Sequence, residues 1–352
     1  MTTDARILSA LRSSDDGSVS GAELSQELGV SRAAIWARIE ELRKLGYEIE
    51  AGPHFGYRLL SSPDLLYADD LLSRLDQDRW GERPRKPGSA AGERLAGTLA
   101  PPRDRVVGRD IHVFQETTST NDVIEKLARD GAREGVAVFA ESQTRGRGRL
   151  GRQWVSPAGK GLWFSVLLRP ELTPQAVTRL TVASATALVR AIQAQTGLTL
   201  EIKWPNDILI RGRKVAGILT ELSAELDRVK YVVLGVGVDV NLGAAEFPAD
   251  LRKSATSLKL ESGRMISRPE LAVAVLRELD EDYARISDSR FAALADEWEA
   301  HCSTLGRDVV IRIGERRIHG RAESLGEDGA LLLRTDHGHL ERIIGGDLTL
   351  EK

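Results

Sequence analysis

Residues that build covalent or metal-bound frameworks are scarce in this sequence. Of its 352 residues, Cys302 is the one cysteine, and only six residues are histidine. A single cysteine cannot form an intramolecular disulfide, and it argues against a cysteine-based metal site. We therefore predict no disulfide and no metal ion held in a dedicated protein site.

Long apolar runs are also missing. No stretch of about 18 apolar residues occurs, and the N-terminal MTTDARILSALRSSDDG lacks the apolar segment of a signal peptide. These absences predict a cytoplasmic protein with no membrane partner. The formal net charge of −3 excludes a chain that is basic throughout, so any DNA contact requires a local basic face.

The chain is long enough for two or three domains and has the composition to fold them. Hydrophobic residues make up 41% of it and charged residues 29%, so it can bury a core and remain soluble. We predict an α+β fold class in four segments. These are a winged helix-turn-helix domain (1–62), a partly disordered linker (63–110), a mixed α/β domain with a largely antiparallel sheet (111–302) and a small SH3-like β-barrel (303–352).

The first 62 residues have the pattern of three helices followed by a strand, a turn and a strand. Ser20–Glu23 has the form of a capping box, and Ser31 can cap the third helix. The turn over 52–56 separates the two short strands. One face of the third helix is apolar, at Ile35, Ile39 and Leu42. This order of elements is that of a winged helix-turn-helix.

The third helix is the predicted DNA-reading element. Ser31, Arg32 and Ala33 stand at its start, where side chains can reach base edges, and Arg38 and Lys44 could reach phosphates. The predicted DNA-binding set is therefore Ser31, Arg32, Ala33 and Arg38, with Lys44 as an additional phosphate contact. The alternative is a module that only aids dimerisation or folding.

The segment 76–109 differs in composition from the rest of the chain. It is rich in arginine, proline and glycine and shows no apolar period. Such a composition is typical of a disordered linker. Two interpretations remain open, a solvated tether and a basic arm that touches DNA phosphates.

Apolar runs in the central region predict buried strands and long helices. Residues 136–140 and 162–168 have the composition of buried strands, and Thr173-Pro174 can begin a helix that runs to Gly197. The strands that follow are separated by short turns, which favours antiparallel pairing over crossovers. After Ser303, short strands alternate with glycine-containing turns, as in a small barrel.

A glycine- and arginine-rich run, GRGRLGRQW (146–154), is the first candidate for a binding loop. Glycines let a backbone pass close to a ligand and expose its N–H groups. The arginines are permanently charged and fork-shaped, so they can clamp carboxylates and phosphates. The alternative is a basic loop that binds RNA or simply faces water.

A second candidate is KWPND (203–207), which is followed by a hairpin turn that places Lys214 at the start of a strand. We predict that Gly217, three residues later, lies on the opposite face of that strand and leaves room for something close by. Each feature has an ordinary alternative. The alternative for KWPND is a turn with a packed tryptophan, and the alternative for Lys214 is a surface lysine.

Two polar clusters complete the candidate set. Ser, Thr and Asn residues at 117–121 precede a helix, where such residues are common caps, but they can also serve a small polar ring. The segment 235–241, GVGVDVN, ends a strand with Asp239 and Asn241 beside glycines. Neither cluster alone identifies a ligand or an activity.

Taken together, these motifs resemble the biotin–protein ligase family, in the form that is fused to a DNA-binding domain and also acts as the biotin operon repressor. The matching segments are SerThrAsn (119–121), GluSerGln (141–143), GRGRLG (146–151), KWPND (203–207) and RKVAGIL (213–219). Their order and spacing fit that family over nearly the whole chain. Two departures stand out, Asp239 in place of the usual asparagine and a longer linker before Ser119.

The resemblance implies a role for each matching residue. Biotin would be bound by Ser119, Thr120, Asn121, Gln143, Arg147, Gly148, Arg149 and Lys214. Arg149 and Lys214 would also be the catalytic residues, since they would lie beside the biotin carboxyl and the adenylate phosphate. The nucleotide would be contacted by Trp154, Asn206 and Arg152.

The resemblance also implies a two-step reaction. Biotin and ATP, with Mg²⁺, would give biotinyl-5′-AMP, and a lysine of a biotin carboxyl carrier protein would then take the biotin. Operator DNA and a ligand-induced homodimer would be the other partners, with biotinyl-AMP as corepressor. Two alternatives remain, a transcription factor with a non-catalytic sensor domain and a lipoate–protein ligase.

Overall fold

The computed structural model describes residues 1–14, 17–53, 55–76, 105–225, 227–287 and 290–350. Two compact units divide the chain, Met1–Arg105 and Val106–Lys352. Most of the predicted basic linker therefore lies outside the described residues, and neither the tether nor the basic-arm interpretation is tested. Each unit is described below by itself.

The N-terminal unit begins with three helices and a hairpin, as the sequence predicts. These are α1 (Thr3–Ser13), α2 (Gly21–Leu28), α3 (Arg32–Lys44) and the antiparallel strands β1 (Glu48–Gly52) and β2 (Gly56–Ser61). Ser20 and Glu23 form the predicted capping box, and the Ser31 hydroxyl accepts the Ala34 N–H at 3.2 Å. The predicted apolar face of α3 is fully buried against α1 and α2.

A fourth helix, α4 (Ala68–Leu75), lies inside the segment 63–110 that we predicted as linker. Leu71 and Leu75 are buried, and Asp70 bonds Arg12 of α1 and Arg74 of its own helix. These contacts make α4 part of the N-terminal unit. The prediction missed the helix because eight residues hold barely two turns, and their leucines merge into the charged sequence that follows.

A seven-stranded sheet forms the centre of the second unit. Its strand order is β3-β4-β5-β9-β8-β7-β6. The β3–β4 pair is parallel and the other five pairings are antiparallel, which agrees with the predicted largely antiparallel sheet. The strands are β3 (Asp110–Thr117), β4 (Val136–Gln143), β5 (Leu162–Leu168), β6 (Glu201–Lys203), β7 (Asp207–Ile210), β8 (Arg213–Glu225) and β9 (Arg228–Val238).

Helices cover both faces of this sheet. Leu167 and Val233 pack against α5 (Thr120–Arg129), whereas Val166 and Leu234 face the pair of long helices α6 and α8. Because side chains alternate along a strand, both faces must be apolar, which explains the continuous apolar run of β5. The remaining helices are α6 (Thr178–Thr196), α7 (Leu258–Ser262), α8 (Arg268–Ser287) and α9 (Phe291–His301).

The helix predicted from Thr173-Pro174 to Gly197 begins with a short 3₁₀ turn. Pro174–Val177 forms that turn, and the α-helix proper starts at Thr178. Gly197 adopts a left-handed φ of 73° and ends the helix, as predicted. None of the described helices is both long and apolar enough to cross a membrane.

The C-terminal region is all β, as predicted. Five antiparallel strands pair in the order β13-β12-β11-β10-β14. They are β10 (Asp308–Ile313), β11 (Arg316–Leu325), β12 (Leu331–Thr335), β13 (Leu340–Ile343) and β14 (Asp347–Leu350). The start of β14 reaches the site described next.

Candidate active site

A cavity of about 500 Å³ opens beside the central sheet. It brings together side chains from segments that lie far apart in the sequence, and all the residues that we predicted to contact biotin or the nucleotide line it. Their individual roles remain predictions. They are Ser119, Thr120, Asn121, Gln143, Arg147, Gly148, Arg149, Arg152, Trp154, Asn206 and Lys214.

One end of the cavity, here called the neutral end, consists of uncharged side chains, most of which are buried. Thr120 Oγ1 lies 2.7 Å from Ser165 Oγ, and the Thr120 N–H donates to Gln143 Oε1 at 2.9 Å. Gln143 Nε2 in turn donates to Ser156 Oγ at 2.9 Å, and Ser165 bonds Asn121. The ordinary capping interpretation fails for Ser119, which takes the N-cap position of α5 without a side-chain capping bond.

Arg147 lies at the rim of the neutral end. Its guanidinium donates to Glu221 Oε2 at 2.8 Å and also pairs with Asp122. Glu221 accepts a second bond, from Asn121 Nδ2 at 2.6 Å. Arg147 is therefore coupled through Glu221 to the buried polar groups.

The 146–154 loop folds back on itself as a narrow turn. The Trp154 N–H donates to Gly146 O at 2.8 Å, and the Gly148 N–H donates to Arg152 O at 2.7 Å. Leu150, at the tip, has a left-handed φ of 55° and is 69% exposed. A loop with an exposed apolar residue in a strained conformation at its tip is a good candidate for a segment that rearranges over a ligand.

The indole of Trp154 packs on the backbone of β8 and β9. A Cβ atom at Gly217 would lie 2.9 Å from the ring, and one at Gly237 would lie 2.7 Å from it. The glycines therefore leave room for this tryptophan. Trp163 packs edge-on against it at 6.3 Å, and Lys214 Nζ lies 5.0 Å from the ring centroid.

Lys214 begins the opposite end of the cavity, here called the charged end. Its ammonium pairs with Asp207 Oδ1 at 2.6 Å. The prediction that Gly217 lies on the opposite face is wrong, since Lys214 Nζ would be 3.1 Å from a Cβ atom at Gly217. The cause is a β-bulge. Lys214 pairs with Leu209 and Ala216 pairs with Ile208, so Val215 is an extra residue.

Arg149 extends the charged end towards the KWPND turn. It donates to Asn206 Oδ1 at 3.2 Å, and Asn206 Nδ2 donates to Ile218 O at 2.6 Å. Burial lowers the pKa of the Arg149 guanidinium, whereas the charges of Asp207 and Asp347 raise it. Arginine is so strong a base that this group keeps its positive charge.

Asp239 is the departure from the family pattern, and it is buried at the charged end. Burial raises the pKa of this carboxyl well above its ordinary range, although Lys214 opposes the shift. The neutral acid is therefore favoured relative to an exposed aspartate. A protonated carboxyl has one donor and one acceptor oxygen and is similar in shape to an asparagine amide.

The C-terminal strands close one wall of the cavity. Gly346, Asp347 and Leu348 line it, and Asp347 accepts a bond from Arg152 at 2.6 Å. Sequence reasoning missed Asp347, Glu221 and Ser165, and it assigned no role to Asp207 of the KWPND segment. Ser165 offered a signal, because it is the one polar residue in the run LWFSVLL; Asp347 and Glu221 required knowledge of tertiary pairing.

The predicted DNA-binding residues of α3 are exposed, but not all are free. Ser31 caps the helix, Arg38 pairs with Asp4 at 3.1 Å, and Lys44 pairs with Glu41 at 2.7 Å. Arg32 has no ion-pair partner among the described residues, and it stands beside exposed Ala33. The open part of the predicted surface is thus the first half of the helix.

No group of three or more His, Cys, Asp or Glu residues in the described part of the chain is arranged to hold a metal ion.

Comparison with known proteins accounts for all three regions. Residues 4–58 match a helix-turn-helix domain family, 113–239 the biotin/lipoate A/B protein ligase family, and 304–349 the biotin protein ligase C-terminal domain. The chain is 36% identical to a bifunctional ligase/repressor BirA of Bacillus spizizenii, over 94% of both chains. It is 30% identical to the Escherichia coli protein of the same description, over 94% of this chain and 92% of that one.

A solved structure supports the same assignment. The biotin protein ligase from Aquifex aeolicus in complex with biotin and ATP superimposes with a TM-score of 0.59 at 30% identity, covering 69% of this chain and 99% of that one. The alignments with both BirA proteins extend over 332 residues of this chain, so they include most of its helix-turn-helix segment. The chain belongs to the family of bifunctional biotin–protein ligases and repressors.

Proposed function

We propose that this protein activates biotin with ATP and transfers it to a lysine of a biotin carboxyl carrier protein. The observation that carries the proposal is the division of one cavity into a neutral, hydrogen-bonding end and an end with Arg149 and Lys214. Such a cavity suits a small molecule with an uncharged polar ring at one end and a carboxylate at the other.

The neutral end is the proposed site of the biotin head. Biotin carries a urea-like ring that donates through N–H groups and accepts at its oxygen, and Ser119, Thr120, Asn121 and Gln143 supply both kinds of partner. Ser119, Thr120 and Asn121 are buried and Gln143 is half-buried, so an uncharged ligand loses less solvation there than a charged one. Arg147 and Gly148 would border the same ligand, near its chain.

The charged end is the proposed site of the first chemical step. A carboxylate oxygen of biotin attacks the α-phosphorus of ATP, and the bond to pyrophosphate breaks. Two anions must approach each other, and one such repulsion costs about 4 kcal/mol at ~4 Å with an effective dielectric of ~20. Lys214 and Arg149 offset it, and Lys214 would exchange its bond with Asp207 for one with the ligand.

The second step requires that the intermediate be protected from water, and it does not require a nucleophile from this protein. The amine of the acceptor lysine attacks the acyl carbon, the bond to AMP breaks, and the attacking nitrogen loses a proton. Trp154 and the 146–151 loop would shield the reactive mixed anhydride from water. Asn206 and Arg152 would contact the nucleotide, and the side chain of Asp239 would act there as an asparagine-like neutral group.

Mg²⁺ would enter with ATP as part of the substrate. This ion usually keeps several waters and is held by phosphate oxygens with one or two carboxylates. Asp207 lines the cavity and is a carboxylate of the right kind. A dedicated cluster of protein ligands is not required.

The N-terminal unit is the proposed operator-binding part, as a winged helix-turn-helix with the β1–β2 hairpin as its wing. The five C-terminal strands are proposed to form an SH3-like barrel. A DNA-binding unit of about sixty residues covers a small surface, so two copies on two half-sites are needed for specificity. We expect biotinyl-AMP to promote this homodimer, because a loop already ordered by ligand need not be ordered again on association.

The decisive experiment is biotin-dependent ATP–pyrophosphate exchange, with lipoate in place of biotin as the control. Exchange that occurs with biotin but not with lipoate supports the proposal. Exchange with lipoate would show a lipoate–protein ligase, and binding of biotin without exchange would show a non-catalytic sensor.

The repressor role has its own test. Sedimentation and DNA titration at fixed salt would compare the free protein, the biotin complex and the biotinyl-AMP complex. Equal dimer fractions and equal DNA affinities in all three states would leave a ligase with an attached DNA-binding unit but no ligand-controlled switch.

A further inference from the structure

Trp36 is an exposed aromatic residue in the middle of α3. It is 58% exposed, whereas the neighbouring Ile35 is fully buried. The apolar cluster of this unit includes Ile35, Ile39 and Leu42 from α3 but not Trp36. A tryptophan in water leaves a large apolar surface uncovered, and the domain core gives no reason for it.

The surroundings of Trp36 favour a polyanion as its partner. Arg32, one turn earlier, is exposed in the first turn of α3, where the helix dipole disfavours a cation and where no acidic residue stands. The acids Glu40 and Glu41 lie further along and are paired with Arg43 and Lys44. The half of the helix that carries Trp36 is therefore open and basic.

Small residues flank the indole. Ala33 and Ala37 are exposed at positions three residues before and one residue after Trp36. Side chains at i and i+3 or i+4 share one face of a helix, so Arg32, Ala33 and Trp36 form a continuous surface with one large projection. A helix with such a profile can enter a groove about 12 Å wide.

We propose that Trp36 reads thymine in the operator by apolar contact with its 5-methyl group. The inference rests on the proposed DNA-binding function and adds the base that is recognised. In the major groove, the thymine methyl is the one apolar group that a base pair presents. An indole has no bidentate pattern with which to select guanine or adenine, so thymine is the base that its surface discriminates.

The test uses a duplex that the wild-type protein selects from a random pool in the presence of biotin and ATP. Each thymine is then replaced by uracil, which removes the methyl and keeps the base pair. We expect at least one replacement per half-site to weaken wild-type binding about fourfold, the factor that corresponds to burying one methylene-sized group.

Three variants separate this contact from general DNA attraction. Trp36→Ala should bind the selected duplex at least tenfold more weakly, show less than twofold change on a scrambled duplex, and no longer respond to uracil. Trp36→Phe should retain part of the response. Arg32→Ala should weaken binding to both duplexes and keep the response to uracil. Biotin-dependent pyrophosphate exchange should be unchanged in all three.

Three results would overturn the inference while leaving the DNA-binding function intact. One is a selected duplex that wild type binds equally well with uracil throughout. The second is a Trp36→Ala protein that still responds to uracil, and the third is a Trp36→Ala protein that loses only dimerisation, as measured by sedimentation. Failure of the wild-type protein to select any duplex would instead refute DNA binding itself, and the inference with it.

Discussion

The two ends of the cavity solve different problems. At the neutral end, Thr120 already bonds both Gln143 and Ser165, so a ligand joins a network that is in place. At the charged end, Lys214 bonds Asp207, and this carboxylate must give way when an anionic ligand arrives. The difference indicates that the neutral end decides which molecule binds, and that the charged end decides whether it reacts.

The largest expected effect is that of Lys214→Ala. Loss of the ammonium leaves the approach of carboxylate and phosphate uncompensated, and removal of one such group commonly costs on the order of 10²–10³ in rate. We expect biotin-dependent pyrophosphate exchange to fall by roughly that factor while biotin still binds. Lys230→Ala, which removes an exposed lysine paired with Glu225, is the matched control. A rate within tenfold of wild type would remove Lys214 from the catalytic set.

Arg149→Ala should act on the intermediate. Its forked donors are partly buried between Asn206 and the C-terminal strands, where a charge-assisted hydrogen bond is strong. We expect biotinyl-AMP to escape roughly 10–100-fold faster, from the usual strength of such bonds. Labelling of unrelated lysines in a mixture with a bystander protein would report the leak. The exposed neighbour Arg145 supplies the control variant, and an unchanged dissociation rate would refute the role.

Ser165→Ala tests the neutral end with a smaller change. Its hydroxyl bonds both Thr120 and Asn121, so its loss leaves two buried groups short of a partner. We expect biotin to bind about tenfold more weakly, and the maximal exchange rate at saturating biotin to stay near that of wild type. Calorimetric titration with biotin measures the first quantity. A lower maximal rate with unchanged biotin affinity would contradict the division between the two ends.

Asp239→Asn should have the smallest effect, on stability. Because burial raises the folded-state pKa of Asp239, the folded protein retains a proton that the unfolded chain releases above a pH of about 4. The free energy of unfolding therefore falls as the pH rises from that value through the folded-state pKa. The variant removes this fall, so its melting temperature should exceed that of wild type by a few degrees at pH 7.

The control for Asp239→Asn is the same change at the exposed Asp250. The gain in melting temperature should shrink as the pH is lowered towards 4 and should be absent in the control at every pH. A gain that does not depend on pH would point to packing instead of protonation.

Much of this molecule could be predicted from sequence because its site residues come in short segments. GRGRLG and KWPND each place several lining residues within a few positions, so recognising the segment locates the side chains. The three-helix order and the run LWFSVLL were equally informative, since spacing and apolar character are local properties. Roles of individual side chains remain predictions.

What the sequence could not supply is pairing between distant segments. The bond between Asn121 and Glu221 joins residues a hundred positions apart, and Arg152 meets Asp347 across an even longer separation. The face on which Lys214 lies depends on a bulge, and alternation along the strand alone predicts the opposite relation to Gly217. The helix α4 was missed because eight residues carry too weak a period to distinguish it from charged sequence.

The bulge at Val215 makes the length of one hairpin as important as its residues. A strand places successive side chains on alternate faces, so deleting Val215 would restore the regular ladder. Either Lys214 or Gly217 would then change face, and the ammonium and the glycine that accommodates it could no longer meet. Deletion of this one residue would thus abolish the activity even though each cavity-lining residue is still present, because the length of the hairpin sets the face on which Lys214 lies.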